Sequence, residues 1–99
     1  MSDADILAAL KKVIDPELGL NIVDLGLVYR AAHGPDGIEV ALTMTTPACP
    51  LGEMLVEEAR QAIHSRFPQS SAVSVELVWE PPWSSERISE EGRRQLGLS

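Results

Sequence analysis

Between Ile38 and Trp79 the sequence writes a strand, a helix and a second strand in one run, and that unit limits the chain to few folds. Ile38, Val40, Leu42 and Met44 alternate with Glu39, Ala41, Thr43 and Thr45, the period of a strand with one buried and one wetter face. Pro50 suits the first position of a helix. Leu51, Leu55, Ala59, Ala62, Ile63 and Phe67 then line one helical face until Pro68 ends it. Val73, Val75, Leu77 and Trp79 alternate with Ser74, Glu76 and Val78, which assigns Trp79 to the core. Two such strands in one sheet run parallel, joined by a right-handed crossover.

The remaining chain is short. Its 99 residues, 44% of them hydrophobic, fit a single domain spanning 1–99 with one modest core. From Asp3, residues Ile6, Leu10, Val13 and Ile14 follow a helical period, Ser2 or Asp3 can cap the first turn, and Asp15-Pro16 stops the pattern. Residues 15–26 mix two glycines and a proline with apolar residues and read as an ordered, partly buried loop. Leu27 to Ala32 reads as a strand and His33 to Gly37 as a turn, which pairs this strand antiparallel with the one starting at Ile38. After the rigid Glu80-Pro81-Pro82-Trp83, a tail helix runs from near Ser89 to Gly97, weakened by Gly92. The expected fold is α+β, a two-layer sandwich. Its three-stranded mixed sheet combines a β-hairpin with a right-handed β-α-β crossover, and its helices pack mainly on one face.

Strand directions then predict where a site would lie. The carboxyl end of the Ile38 strand leads to Cys49, the carboxyl end of the Val73 strand leads to Glu80 to Trp83, and the start of the Leu27 strand carries Asp24 and Gly26. These segments should gather at one edge, with the Asp15 to Gly19 loop as a further wall. Ligands of open sheets favour the region outside the carboxyl ends of the strands.

Charge and cysteine usage remove several function classes. A net charge of -7 repels phosphate backbones and anionic lipids, and no Lys/Arg cluster offsets it. Nucleic acid and membrane are therefore not expected partners. No stretch resembles a secretory leader or approaches the ~20 apolar residues of a spanning helix, so the expected location is cytoplasmic. With one cysteine the chain forms no internal disulfide and no multi-cysteine metal site.

That cysteine, Cys49, sits in Thr45-Thr46-Pro47-Ala48-Cys49-Pro50, where the cap of the long helix is expected. Helix-end N–H groups and the dipole there favour a thiolate, the form that binds metal or attacks electrophiles, while Asp15, Glu17 or Asp24 nearby would oppose it. A buried cysteine that merely closes a turn is the plain alternative. Flanking prolines, two adjacent hydroxyls and a helix start concentrate more constraint than packing requires, and favour function. Hydrolytic catalysis is disfavoured, because a nucleophilic thiol needs a histidine within reach. His64 lies fifteen residues along the helix, roughly 22 Å away, and His33 lies at the far end of the strand, roughly 25 Å away. No resolving cysteine exists for thiol exchange.

The neighbouring residues carry two readings each. Asp15 before Pro16 is a common turn initiator, whereas Glu17 has no such structural duty. Asp24 can satisfy backbone N–H groups near Leu25-Gly26. Thr45 and Thr46 can close the strand, or donate hydrogen bonds to a thiolate or a metal-bound sulfide. Trp83 is the candidate partner-facing anchor.

The segments DPELGLNIVDLGLV, LTMTTPACPLGEM and VWEPPW, followed by a tail with RRQLGL, resemble the iron-sulfur cluster assembly family that includes SufT and PaaD-like accessory proteins and the eukaryotic cytosolic targeting subunit. The likeness spans nearly the whole chain. It implies a role in maturing iron-sulfur or related metalloproteins, with the family's cysteine on Cys49, its acidic loop on Asp15, Glu17 and Leu18, and its threonine on Thr45. PaaD-like members, tied to assembly of a phenylacetyl-CoA oxygenase, carry a further cysteine-containing C-terminal region. Its absence from this sequence favours the SufT-like branch. The implied cargo is iron or an iron-sulfur cluster, held transiently or shared across a homodimer, since one cysteine falls short of the ~4 ligands a cluster needs. The implied partners are the assembly machinery and client apoproteins. A non-enzymatic carrier or adaptor is the expected class; a protein-interaction module without metal is its rival.

Overall fold

A computed structural model describes residues 3–35, 37–45, 52–69 and 72–97. The first helix, α1 (Asp3–Leu10), opens with Asp3 and Asp5 at its positive end and buries Ile6, Ala9 and Leu10. Two short strands follow, β1 (Ile14–Asp15) and β2 (Leu20–Asn21), then β3 (Val28–Gly34) and β4 (Gly37–Leu42). Helix α2 (Gly52–Arg66), strand β5 (Val73–Leu77), a 3-10 turn (Ser85–Arg87) and α3 (Glu90–Leu96) complete the chain.

The main sheet has the order β3-β4-β5, with β3 antiparallel and β5 parallel to the central β4. This is the expected mixed sheet. Val40 lies between Ala31 and Val75, and Leu42 between Val28 and Leu77. Alternation sends Ile38, Val40 and Leu42 to one face, where they join Leu55, Ala59 and Ile63 of α2 and Ile6 and Leu10 of α1 in a single core. The opposite face carries Arg30, Glu39, Ser74 and Glu76, all exposed, with an Arg30–Glu39 ion pair at 3.1 Å. Solvent screening makes such an exposed pair worth little.

Three sequence expectations need correction. The first helix ends at Leu10 rather than continuing to Ile14. The chain turns at Lys11-Lys12, the Val13 N–H donates to Leu10, and Ile22 N–H donates back to the Val13 carbonyl. Ile14 therefore stands 46% exposed in a strand instead of on a helix face. The turn wins because the β1–β2 pairing buries Leu20 and Ile22 almost completely, which one more helical turn would not do. The loop at 15–26 thus contains a small hairpin that its composition does not announce. Trp79 is the third correction: β5 ends at Leu77, and Trp79 is 41% exposed, outside the core.

The tail matches expectation closely. Ser89 caps α3, accepting the Gly92 N–H at 2.9 Å, and Gly97 closes it in the left-handed region.

Candidate functional site

The predicted edge is assembled by backbone hydrogen bonds that tie three chain segments together. Where the strands stop, Val78 N–H donates to Leu42 at 2.7 Å and Thr43 N–H donates to Leu27 at 2.8 Å. Beyond them the Trp83 indole N–H reaches back to the Leu25 carbonyl at 2.8 Å, and the Tyr29 hydroxyl donates to the Pro81 carbonyl at 2.7 Å. The ends of β4 and β5 and the approach to β3 therefore meet, as strand direction requires. Thr45 lies half-buried at a bend three residues past the end of β4. Thr46 and Cys49 lie outside the described residues, so the expected cap position of Cys49 does too.

Each acidic candidate has a defined setting. The Asp15 Oδ1 accepts the N–H groups of Glu17 at 2.8 Å and Leu18 at 3.3 Å, while its carbonyl accepts the Gly19 N–H. The side chain thus replaces water for a tight turn, and Asp15 itself is buried. Glu17 and Leu18, held by that turn, are exposed. Asp24 bonds to side chains rather than to the N–H groups near Leu25. Its Oδ2 accepts Asn21 Nδ2 at 2.7 Å and its Oδ1 accepts Ser89 Oγ at 2.8 Å. The Asn21 hydrogen bond holds the Asp24 carboxyl below the usual carboxylate range; burial opposes this, and Ser89 and the charge of Lys11 reinforce it.

The tail is stitched to the same loop. Ser89 N–H donates to the Asp24 carbonyl at 2.7 Å, and the Arg87 guanidinium lies 4.6 Å from the Tyr29 ring centre. At Gly26, with φ +78°, a Cβ would sit 2.3 Å from the Arg87 carbonyl oxygen; only glycine fits. Asn21, Tyr29 and Arg87 position the edge without having been expected to from the sequence, and Ser89, expected only as the start of the tail helix, does so as well. The N-x-x-D spacing of Asn21 and Asp24 and the Ser89 cap were the available signals. Neither histidine belongs to the edge: His33 pairs with Ile38 at the start of β4, and His64 is in the last turn of α2.

A family model described as iron-sulfur cluster assembly protein matches residues 3–77. The chain belongs to this iron-sulfur cluster assembly family. The SufT- and PaaD-like resemblance read from its motifs therefore holds. Among relatives, the Fe-S protein maturation auxiliary factor YitW of Bacillus subtilis is 38% identical, over 95% of this chain and 92% of that protein. The auxiliary factor SufT of Staphylococcus aureus is 36% identical, over 88% of this chain and 99% of that one. A domain of unknown function from Bacillus anthracis has the same fold, with a TM-score of 0.90 and 35% identity, covering 99% of this chain and 96% of its own. A hypothetical protein from Thermotoga maritima gives 0.79 at 45% identity, covering 98% and 95%. Within this family member, the edge-forming tail from Val78 onward lies beyond the family-model match.

Proposed function

We propose that this chain is a non-enzymatic accessory factor in the maturation of iron-sulfur proteins, passing iron or a cluster through Cys49 while its edge docks the client. The observation that carries this reading is the family match over residues 3–77, supported by 36–38% identity to maturation auxiliary factors along almost their full length. A thiolate suits iron-sulfur cargo because it is a soft ligand. One thiolate leaves most of a cluster's ligand positions unfilled, so the client or another protein must supply the rest. That incompleteness serves transfer, since the cargo leaves when better ligands arrive. Thr45 and Thr46 are the candidate donors to the sulfur, and Asp24 fixes its own loop against the tail through Ser89. In the acidic loop, Asp15 is committed to its turn, which leaves Glu17 and the 43% exposed Leu18 for partners. Of the indoles, Trp79 offers the larger exposed surface, and Trp83 offers the part of its ring that its bond to Leu25 leaves free.

No helix among the described residues is long and apolar enough to cross a membrane. We place the working site in the cytoplasm.

Anaerobic incubation with iron and sulfide tests the ligand role. The parent should acquire thiolate-to-iron charge-transfer absorption that Cys49→Ala lacks. Equal incorporation by both would refute ligation and leave docking through Leu18 and Trp79 as the function.

A further inference from the structure

Strand β5 forms one margin of the sheet, and its hydrogen-bonding parity can be read from its two ends. The Ala72 carbonyl accepts Ile38 N–H, and Val78 N–H donates to Leu42. Successive residues of a strand turn their backbone groups to opposite sides. The even-numbered residues therefore serve β4, and the N–H and C=O groups of Val73, Val75 and Leu77 point away from the sheet. Among the described residues these outward groups have no backbone partner. The β3 margin differs, because Asp3 of α1 accepts the His33 N–H at 3.4 Å. Among the described residues the β5 margin has no proline, lysine or added cover, and such a margin is a template for further pairing.

We propose that this margin pairs with a second copy of the chain, β5 against β5, antiparallel about a two-fold axis through Val75. The register is self-complementary in three respects. Outward-facing residues meet outward-facing residues, since Val73 opposes the partner copy's position 77 and Val75 opposes its own counterpart. Every such pair therefore exchanges both N–H to C=O bonds. Side chains also match, because Val73, Val75 and Leu77, half-buried at the rim of the core, meet apolar counterparts on the same face. On the polar face Ser74 opposes the position-76 carboxylate of the other copy, so the one charge on the strand faces a hydroxyl and not its own kind. A strand of different sequence would have to supply this match independently; a second copy has it by symmetry.

The joint six-stranded sheet has a functional consequence. The axis passes through the middle of β5, so the carboxyl ends of β4 in the two copies lie at opposite ends of the dimer. Each copy presents its own edge, and a cluster bridging the two edges is incompatible with this arrangement. The dimer does not depend on the metal role of Cys49.

Sedimentation equilibrium of the full chain across micromolar to millimolar concentrations tests it. Val75→Pro removes an outward N–H without touching the β4 ladder and should abolish dimerisation while the circular dichroism spectrum stays that of the parent. Ser74→Lys faces Glu76 of the other copy and should tighten the dimer by about twofold to thirtyfold over its two symmetric pairs. The same lysine combined with Glu76→Ala should give no tightening. A chain that remains monomeric throughout, or a dimer indifferent to all three variants, overturns the proposal. A β5 margin that takes up a foreign strand while the chain stays monomeric overturns it equally.

Discussion

The Ser89 hydroxyl donates to the Asp24 carboxylate at 2.8 Å across 65 residues of sequence, and this bond pins the tail helix to the loop that leads into β3. Ser89 also caps α3, so truncation costs both contacts. Ser89→Ala should lower the unfolding free energy by about 1–2 kcal/mol, measured by urea denaturation near pH 7. Asp24→Ala should cost more, about 2–3 kcal/mol, because it leaves Asn21 and Ser89 without their acceptor.

The same carboxylate sets a pH dependence. Its folded pKa is lowered, chiefly by Asn21, so the folded state binds a proton less readily than the unfolded chain. The stabilisation is complete above the ordinary carboxylate range of about 4 and is lost as pH falls through the folded value. The stability gap between the parent and Asp24→Asn should therefore be widest near pH 6–7 and close on acidification. A gap that widens toward low pH contradicts the assignment.

Two glycines with nearly equal φ separate backbone strain from collision. Gly26 and Gly97 lie at +78° and +76°, but a Cβ at Gly97 meets nothing within 4 Å among the described residues, whereas one at Gly26 strikes the Arg87 carbonyl. Gly97→Ala should cost about 1–2 kcal/mol from conformation alone. Gly26→Ala adds the collision and should cost at least about 3 kcal/mol or prevent docking of the tail. Thermal melts of the two variants provide the comparison.

The indoles make a third pair. Trp79→Ala should change stability by no more than about 0.5 kcal/mol, as expected for an exposed residue. Trp83→Phe keeps the ring but orphans the Leu25 carbonyl, at a cost of about 1 kcal/mol. In Trp83→Phe, the remaining fluorescence should be readily quenched by acrylamide.

The sheet was legible because Ile38 to Met44 and Val73 to Leu77 alternate cleanly and a proline-bounded helix separates them. The helix ends flanking α3 were legible because a serine cap and a closing glycine are local signals. Ile14 was not, because its position fits both a fading helical period and a two-residue strand, and pairing with Asn21 decided the matter. Trp79 continued an alternation whose strand had already stopped. Gly92 read as a helix breaker, yet it is where α3 approaches the Asp24 carbonyl and Leu20; an added Cβ would lie 3.0 Å from each. The edge itself followed from strand direction, and the Asn21 contact to Asp24 is a local one three residues apart, but the reach of Ser89 to Asp24 and of Arg87 to Tyr29 is a long-range consequence of tail docking that no local pattern encodes.

The central claim, that this family member matures iron-sulfur proteins through Cys49, is tested most directly in cells lacking the chain, by assaying an iron-sulfur dehydratase before and after complementation. The parent should restore its activity, and Cys49→Ala, expressed to the same level, should not. Full restoration by Cys49→Ala would contradict the account.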